Sequence, residues 1–220
     1  MLRPIFSTLA VAALALGLSL PALAGDNHSK VNGSIRIEDG RSVGDLDTVN
    51  GSIRLGDHGQ AEEVSTVNGS IEIGDDASVE SAGTVNGRIS VGRRARVSRE
   101  VSTVNGSLTL DEGSDVNGDV SNVNGGIRLR SAHVAGGIRT VSGDIEVGAD
   151  SRVDHGILVE KSNSWFNFGS NQPPRVVIGP RAVVQGTLVF EREVELYVSD
   201  TARIGEVKGA TPIKFSGENP

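Results

Sequence analysis

Histidines and carboxylates are side chains that often act as general acids or bases, and this 220-residue chain contains both but no cysteine. His58, His133 and His155 are the candidate general bases, but each stands in a turn or half-repeat without a partner at a fixed spacing. The lack of cysteine also removes thiolate metal sites and cysteine nucleophiles. No glycine-rich loop joins a strand to a helix, as a nucleotide phosphate would require. The sequence therefore predicts no catalytic residue, no cofactor and no metal site.

Acidic residues stand in pairs at predicted turns, as in Asp75-Asp76 and Asp111-Glu112. Clustered aspartates could bind calcium, or could work with arginine in the long cleft of a polysaccharide-cleaving enzyme. The repeating aspartate-rich motif of calcium-binding β-rolls is absent. We interpret these carboxylates as solvated turn residues.

Aromatic residues make up only 3% of the chain, and three of them fall in one segment, residues 161–174. Trp165, Phe166 and Phe168 are surrounded there by asparagine, serine and glycine. Such rings either pack over neighbouring structure or contact a partner. They are the candidate partner-binding residues, with a glycan or an envelope protein as the expected partner.

An internal repeat determines the elements that would position all of these residues. A block of the type Val-Asn-Gly-Ser-Ile occurs seven times at spacings of 18 or 19 residues. The copies begin at Val31, Val49, Val67, Val85, Val104, Val123 and Val141.

A shorter period of six residues runs inside the repeat. One hexad series contains Val67, Ile73, Val79, Val85, Val91 and Val97, and the columns of these apolar residues are expected to form the core. Apolar periods of two and six exclude an α-helix, and three hexads per repeat predict three sides per coil. The predicted fold is all-β, a single-stranded parallel β-helix (β-solenoid) of triangular cross-section with about 18 residues per coil. Regular hexads favour left-handed winding, whereas parallel crossovers and the 19-residue spacings favour right-handed winding, which is the prediction. Val64 and Val67 are three residues apart, so we expect a corner or bulge between them.

Stacked coils about 4.8 Å apart bring equivalent residues into columns. One column consists of Asn32, Asn50, Asn68, Asn86, Asn105 and Asn124. We interpret it as a structural ladder in which each amide bonds to the next coil. The Asn-Gly pair is expected to form a corner because both residues tolerate positive φ.

A second column contains threonines, which favour strands. Its members are Thr48, Thr66, Thr84, Thr103 and Thr140. A flat, exposed threonine face can order water, so ice binding is a minor alternative function.

The N-terminal 24 residues are predicted to be a signal peptide, because Arg3 precedes an apolar run and Ala22-Leu23-Ala24 forms a small-x-small cleavage site. Cleavage after Ala24 leaves 196 of the 220 residues and removes Arg3, which changes the net charge from −7 to −8. We expect a periplasmic or secreted protein without a transmembrane segment in the mature chain. Its acidic surface disfavours nucleic acid as a partner.

Three segments follow from these patterns: the signal peptide 1–24, a β-solenoid over 25–208 with an insertion loop at 161–174, and a C-terminal tail or cap over 209–220.

The stretch from Ile178 to Leu188, read as IGPRAVVQGTL, resembles the bactofilins, the polymer-forming β-helical proteins of bacteria. The stretch from Thr140 to Val147 is similar to the adhesin-type β-helix domains of exported bacterial proteins. Together the resemblances cover about residues 30–208. They imply a β-helix, and the bactofilin resemblance implies filaments formed by end-to-end stacking without nucleotide.

Two classes of function are therefore expected. The first is an exported, non-enzymatic protein with a structural, adhesive or polymer-forming role at the bacterial envelope, since open ends of a β-solenoid can stack on further copies. The second is a module that binds a glycan or protein through a solenoid face or through the aromatic loop 161–174. Hexad repeats also occur in acyltransferases, but these need an interface histidine and cytoplasmic acyl-CoA, so no enzyme is expected.

Overall fold

The computed structural model describes residues 26–161 and 172–220, and within these ranges the regular secondary structure consists of strands only. The predicted signal peptide 1–24 lies outside the described residues. The strands in chain order are β1 (His28–Asn32), β2 (Ile35–Ile37), β3 (Leu46–Asn50), β4 (Ile53–Leu55), β5 (Gln60–Asn68), β6 (Ile71–Ile73), β7 (Ser78–Asn86), β8 (Ile89–Val91), β9 (Arg96–Val97), β10 (Val101–Asn105), β11 (Leu108–Leu110), β12 (Asp115–Val116), β13 (Val120–Asn124), β14 (Ile127–Leu129), β15 (His133–Val134), β16 (Ile138–Thr140), β17 (Ile145–Val147), β18 (Arg152–Val153), β19 (Ile157–Val159), β20 (Arg175–Ile178), β21 (Val183–Val184), β22 (Leu188–Phe190), β23 (Glu195–Ser199), β24 (Arg203–Ile204), β25 (Val207–Lys208) and β26 (Ile213–Phe215).

The strands stack in parallel into three faces, which confirms the prediction of a β-solenoid. The first face is a sheet of ten strands in the order β2-β4-β6-β8-β11-β14-β17-β20-β23-β26. The second face contains the two-residue strands β9, β12, β15, β18, β21 and β24, and the third contains β1, β3, β10, β13, β16, β19, β22 and β25. The long strands β5 and β7 run along both the second and third faces and join them into one sheet.

Alternation within the short strands builds the core. On the first face Ile53 and Leu55 are fully buried while Arg54 between them is exposed. The register pairs Ile53 with Ile71 and Leu55 with Ile73, so apolar side chains continue as columns from coil to coil. A single coil could not bury such a column, and stacking therefore supplies the stability of the fold.

The threonine column faces the core, whereas the hexad pattern predicted that valine would. Thr48, Thr66, Thr84, Thr103 and Thr140 are all buried, and Val67 and Val85 are only half-buried. The placement of Val67 and Val85 in the core was therefore wrong. Thr66 can replace valine there because its Oγ1 donates a hydrogen bond of 3.0 Å to the Gly51 carbonyl of the preceding coil. Since these threonines are buried, they do not present the exposed face that ice binding requires.

The asparagine corner, formed by the six ladder asparagines and the glycines that follow them, leads from the third face to the first. The prediction that positive φ selects these glycines is wrong for most of the column, because only Gly33 and Gly125 have φ in the left-handed region, at 112° and 124°. Close approach selects them instead. A Cβ on Gly69 or Gly106 would lie 1.9 or 1.7 Å from the glycine carbonyl oxygen of the preceding coil.

The stack continues across the predicted insertion. Residues 162–171 lie outside the described residues, but Ile145 on β17 pairs with Val176 on β20, 31 positions later, in the same core column. The segment 209–220 contributes β26, which pairs with β23. No helix among the described residues has the length and apolar character needed to cross a membrane.

Candidate functional site

The turn corner, which joins the first face to the second, is the place where side-chain chemistry varies from coil to coil. In eight of its turns one residue has a left-handed backbone, with φ between 49° and 71°. These residues are Gly40, His58, Asp76, Arg94, Gly113, Ser131, Asp150 and Arg181. Only two of them are glycine, so most of these turns hold a non-glycine residue in a conformation that costs about 1–2 kcal/mol.

Two bidentate ion pairs form along this corner. Arg94 donates from Nε and a terminal nitrogen to both carboxylate oxygens of Asp76, at 2.8 and 2.6 Å. Arg181 does the same to Asp150, at 2.7 and 2.6 Å. In each pair the arginine lowers the pKa of the aspartate below its usual value, chiefly through the hydrogen bonds.

A cleft of ≈ 550 Å³ lies between the two ion pairs. Gly113 and Ser131 occupy the intervening turn positions. Glycine has no side chain and that of serine is small, so this space is left unfilled. The charged and titratable lining residues are Asp76, Arg94, Arg96, Asp115, His133, Asp150 and Arg152.

The second face supplies the wall of the cleft. Its two-residue strands place one side chain inward and one outward. Val97, Val116, Val134 and Val153 are fully buried. The outward column, in register, is Arg96, Asp115, His133 and Arg152. The sequence therefore brings opposite charges from successive coils next to one another.

His133 lies at the centre of this column. Its Nδ1 is 2.7 Å from Asp115 Oδ1 and its Nε2 is 3.0 Å from Asp154 Oδ2. Partial burial acts to lower the pKa of His133, but the hydrogen bonds to Asp154 and Asp115 outweigh it, so the pKa is raised above 6.5. The pKa of Asp154 is lowered, first by its bond to His133 and further by its bond to Arg152. The imidazolium form can donate to both carboxylates, and it then links the coils that carry them.

One lining side chain retains hydrogen-bonding capacity at the surface. The backbone amide of Arg96 donates to the Ala77 carbonyl at 2.8 Å, but its exposed guanidinium makes no hydrogen bond or ion pair within the described residues. This group can therefore bond to a ligand. Ser114 also lines the cleft, but its hydroxyl is fully buried and has no hydrogen-bond partner in the described part of the chain.

The other histidines and acids considered from the sequence are placed separately. His58 is exposed at the turn corner, and His155 Nδ1 lies 2.8 Å from the Ala135 carbonyl oxygen. Asp75 is not simply solvated, because its carboxylate accepts a 2.8 Å hydrogen bond from the Arg93 amide of the next coil. Asp111 forms a 3.1 Å ion pair with Arg130.

The six ladder asparagines lie in one column, which is exposed except for the half-buried Asn124. From Asn50 onward, each side-chain amide donates to the side-chain oxygen of the asparagine one coil earlier, at 2.9–3.1 Å. The aromatic candidates Trp165, Phe166 and Phe168 lie outside the described residues. Within the described ranges no group of three or more histidine and acidic side chains is arranged to hold a metal ion.

The cleft was not predicted from the sequence, although the spacing of its lining residues follows the repeat. Asp115 and His133 are 18 positions apart, and Arg152 follows 19 later. Aligning outward positions coil by coil would have placed these three residues side by side. The contribution of Asp154 was harder to foresee, because it is two residues beyond Arg152 and reaches back to His133.

The sequence matches no protein-family model, and comparison with curated proteins and with solved structures finds no match. The architecture itself therefore gives the class, a β-solenoid of the β-helix type.

Proposed function

We propose that this chain is an exported, non-enzymatic β-solenoid of the bacterial envelope with an adhesive role, and that it binds a neutral, hydroxyl-rich glycan in the cleft beside the turn corner. The observation that carries the proposal is the cleft itself. Two bidentate Arg–Asp pairs bound it, and Gly113 and Ser131 leave it open. The adhesin-type resemblance and the predicted signal peptide 1–24 support the envelope location, which N-terminal sequencing of the exported protein at Gly25 would test.

The balance of charge favours a neutral ligand. Three aspartates and three arginines line the cleft together with His133. All of these charged groups except Arg96 have an oppositely charged partner, and a polyanion or polycation gains little from a surface that carries one unpaired charge. Carboxylates accept hydrogen bonds and guanidinium groups donate them, so the cleft offers both kinds of partner to sugar hydroxyls.

The dimensions favour an extended ligand. The cleft runs along the stack from Asp76 to Asp150, so it follows the axis of the rod over several coils about 4.8 Å apart. The exposed Arg96 guanidinium adds a donor that the described chain leaves unbonded. A chain of sugar rings aligned with the axis would contact this group and the charged side chains of the neighbouring coils in succession.

Ser131→Arg is the decisive variant. Arginine already occupies the equivalent left-handed position at Arg94 and Arg181, so the turn can accept it. The longer side chain would fill the cleft, and we expect neutral oligosaccharide binding measured by calorimetry to fall at least tenfold. His58→Arg is the matched control, because it adds the same side chain to the same column outside the cleft, and it should bind as the unchanged protein does.

Two results would count against this proposal: Ser131→Arg binding neutral oligosaccharides as tightly as the unchanged protein, or the unchanged protein binding only an acidic glycan or an envelope protein.

A polymer-forming role, as the bactofilin resemblance implies, is the second candidate. The observation that favours it is that β2 and β26 are the end strands of the first-face sheet. Each leaves one edge unpaired among the described residues, and an unpaired edge can accept a further strand.

A further inference from the structure

The hydrogen bonds between coils show what a stacking copy would need at the N-terminal end. In the interior, the Ile35 amide donates to the Ser52 carbonyl of the next coil at 2.9 Å, and the Ile53 amide donates to Ser70 in the same way. The Ser34 carbonyl is the equivalent acceptor in the first described coil. A copy stacked on this end would place an amide there.

Lys30 already occupies that acceptor. Its Nζ donates a 2.8 Å hydrogen bond to the Ser34 carbonyl oxygen. The register pairs Lys30 with Thr48, so the lysine stands in the core-facing threonine column. His28 pairs with Leu46 and stands at the end of a buried aliphatic column that continues with Val64. Two core columns therefore end in basic side chains at this end of the solenoid.

The C-terminal end has a related arrangement on another face. Strand β26 pairs with β23 so that Lys214 lies opposite Val198, a fully buried core residue. The apolar Ile213 lies opposite the outward Tyr197 and is 51% exposed. One of the two core columns of the first face thus ends on a lysine.

Lysine is confined to particular places in the sequence. The chain has four lysines, at positions 30, 161, 208 and 214. Three of them stand on β1, β25 and β26, which lie at the two ends of the solenoid. The coils between residues 31 and 160 contain arginine but no lysine. Lysine at exposed or inward-facing edge positions is a common means by which β proteins prevent edge-to-edge pairing.

We propose that Lys30 and Lys214 block end-to-end stacking of this solenoid, so that the protein remains a single rod in spite of its open strand edges. Stacking would bury both ammonium groups in core columns without a carboxylate partner, which strongly disfavours the junction. Lys30 would also have to release Ser34 before the backbone of a second copy could bond there. This inference does not depend on glycan binding.

The test compares the mature chain with a triple variant, His28→Leu, Lys30→Thr and Lys214→Val, which extends the interior core columns to both ends. Sedimentation velocity and electron microscopy should show a monomeric rod for the unchanged protein up to high micromolar concentration. The triple variant should form chains whose length increases with concentration. Lys208→Thr is the matched control, since it removes an exposed lysine from the outward column of β25, and it should remain monomeric.

Filaments of the unchanged protein would overturn the proposal and support the polymer-forming role. A folded triple variant that stays monomeric would overturn it as well. Lys30 and Lys214 are both exposed, so folding should survive their replacement, and circular dichroism would verify it. If the triple variant does not fold, the milder pair Lys30→Met and Lys214→Met decides the question by the same measurements.

Discussion

The asparagine corner and the turn corner bend the same coil but are built differently. At the asparagine corner the same residue types recur, and the backbones of successive coils are in close contact. A Cβ on Gly87 would lie 1.9 Å from the Gly69 carbonyl oxygen. At the turn corner eight different coils share a left-handed backbone but carry glycine, histidine, aspartate, arginine or serine. The uniform corner therefore maintains the stack, and the variable corner is where the chain can change its surface chemistry without changing its backbone.

Replacing one glycine at each corner tests this difference most severely. Gly106→Ala places a methyl group 1.7 Å from the Gly87 carbonyl oxygen, so two coils must separate. We expect a loss of at least about 3 kcal/mol in the free energy of unfolding, as for severe overpacking. Gly113→Ala has its nearest contact at 3.2 Å, with the flexible Arg94 side chain, and should cost only the left-handed strain of about 1–2 kcal/mol.

Urea unfolding of both variants checks this prediction. Equal losses at the two glycines would show that the corners are not built differently.

Next to the asparagine corner, replacing the buried Thr66 should lower the free energy of unfolding more than replacing the exposed Asn68. Thr66→Val keeps the shape of the side chain but leaves the Gly51 carbonyl without its 3.0 Å bond, and a buried unsatisfied group costs about 1–3 kcal/mol. Asn68→Ala removes the bonds to Asn50 and from Asn86, but the column is exposed and water can replace them. Its cost should be about 0.5–1.5 kcal/mol.

Chemical denaturation of the two variants side by side would measure the order. A larger loss for Asn68→Ala would restore the ladder as the main stabilising element of that corner.

The smallest expected effect is a pH dependence at the wall of the cleft. The raised pKa of His133 means that the folded protein holds the proton more tightly than the unfolded chain. The resulting stabilisation is complete below the unfolded pKa of about 6.5 and is lost as the pH rises through the folded value. Asp154, whose pKa is lowered, stays ionised throughout this range.

Proton NMR of the His133 ring, with urea midpoints at acidic and alkaline pH, measures the effect. His133→Gln should remove it, whereas His58→Gln, at an exposed turn position, should not. A His133 titration midpoint at or below the ordinary value of 6.5 would contradict the proposed network.

Periodicity was sufficient to predict the class of fold, because a β-solenoid repeats one local solution. The apolar columns at Ile53, Ile71 and Ile89 are visible in the letters alone. The errors in the predicted core arose because apolar side chains were expected to point inward and polar side chains outward. Thr66 enters the core and Val67 does not, because the Gly51 carbonyl offers the hydroxyl a partner inside. That carbonyl belongs to another coil, so the single repeat contains no sign of it.

The cleft could be foreseen only in part for a related reason. Asp115, His133 and Arg152 fall into one column once the register is known. The space between them depends on the small residues Gly113 and Ser131, which look like ordinary turn residues in the sequence. The cavity exists because Gly113 and Ser131 lack long side chains, whereas a search for sequence motifs detects only the functional groups that are present.

The uninterrupted register between β17 and β20 has a consequence for how such a rod can be used. Ile145 and Val176 remain neighbours although 31 positions separate them along the chain. Outward side chains on successive coils are therefore held at a fixed spacing of about 4.8 Å along the axis. Extra residues between two strands lengthen the chain without changing that spacing. Substitutions at the turn corner can then change which chemical groups are presented while the distances between them stay fixed.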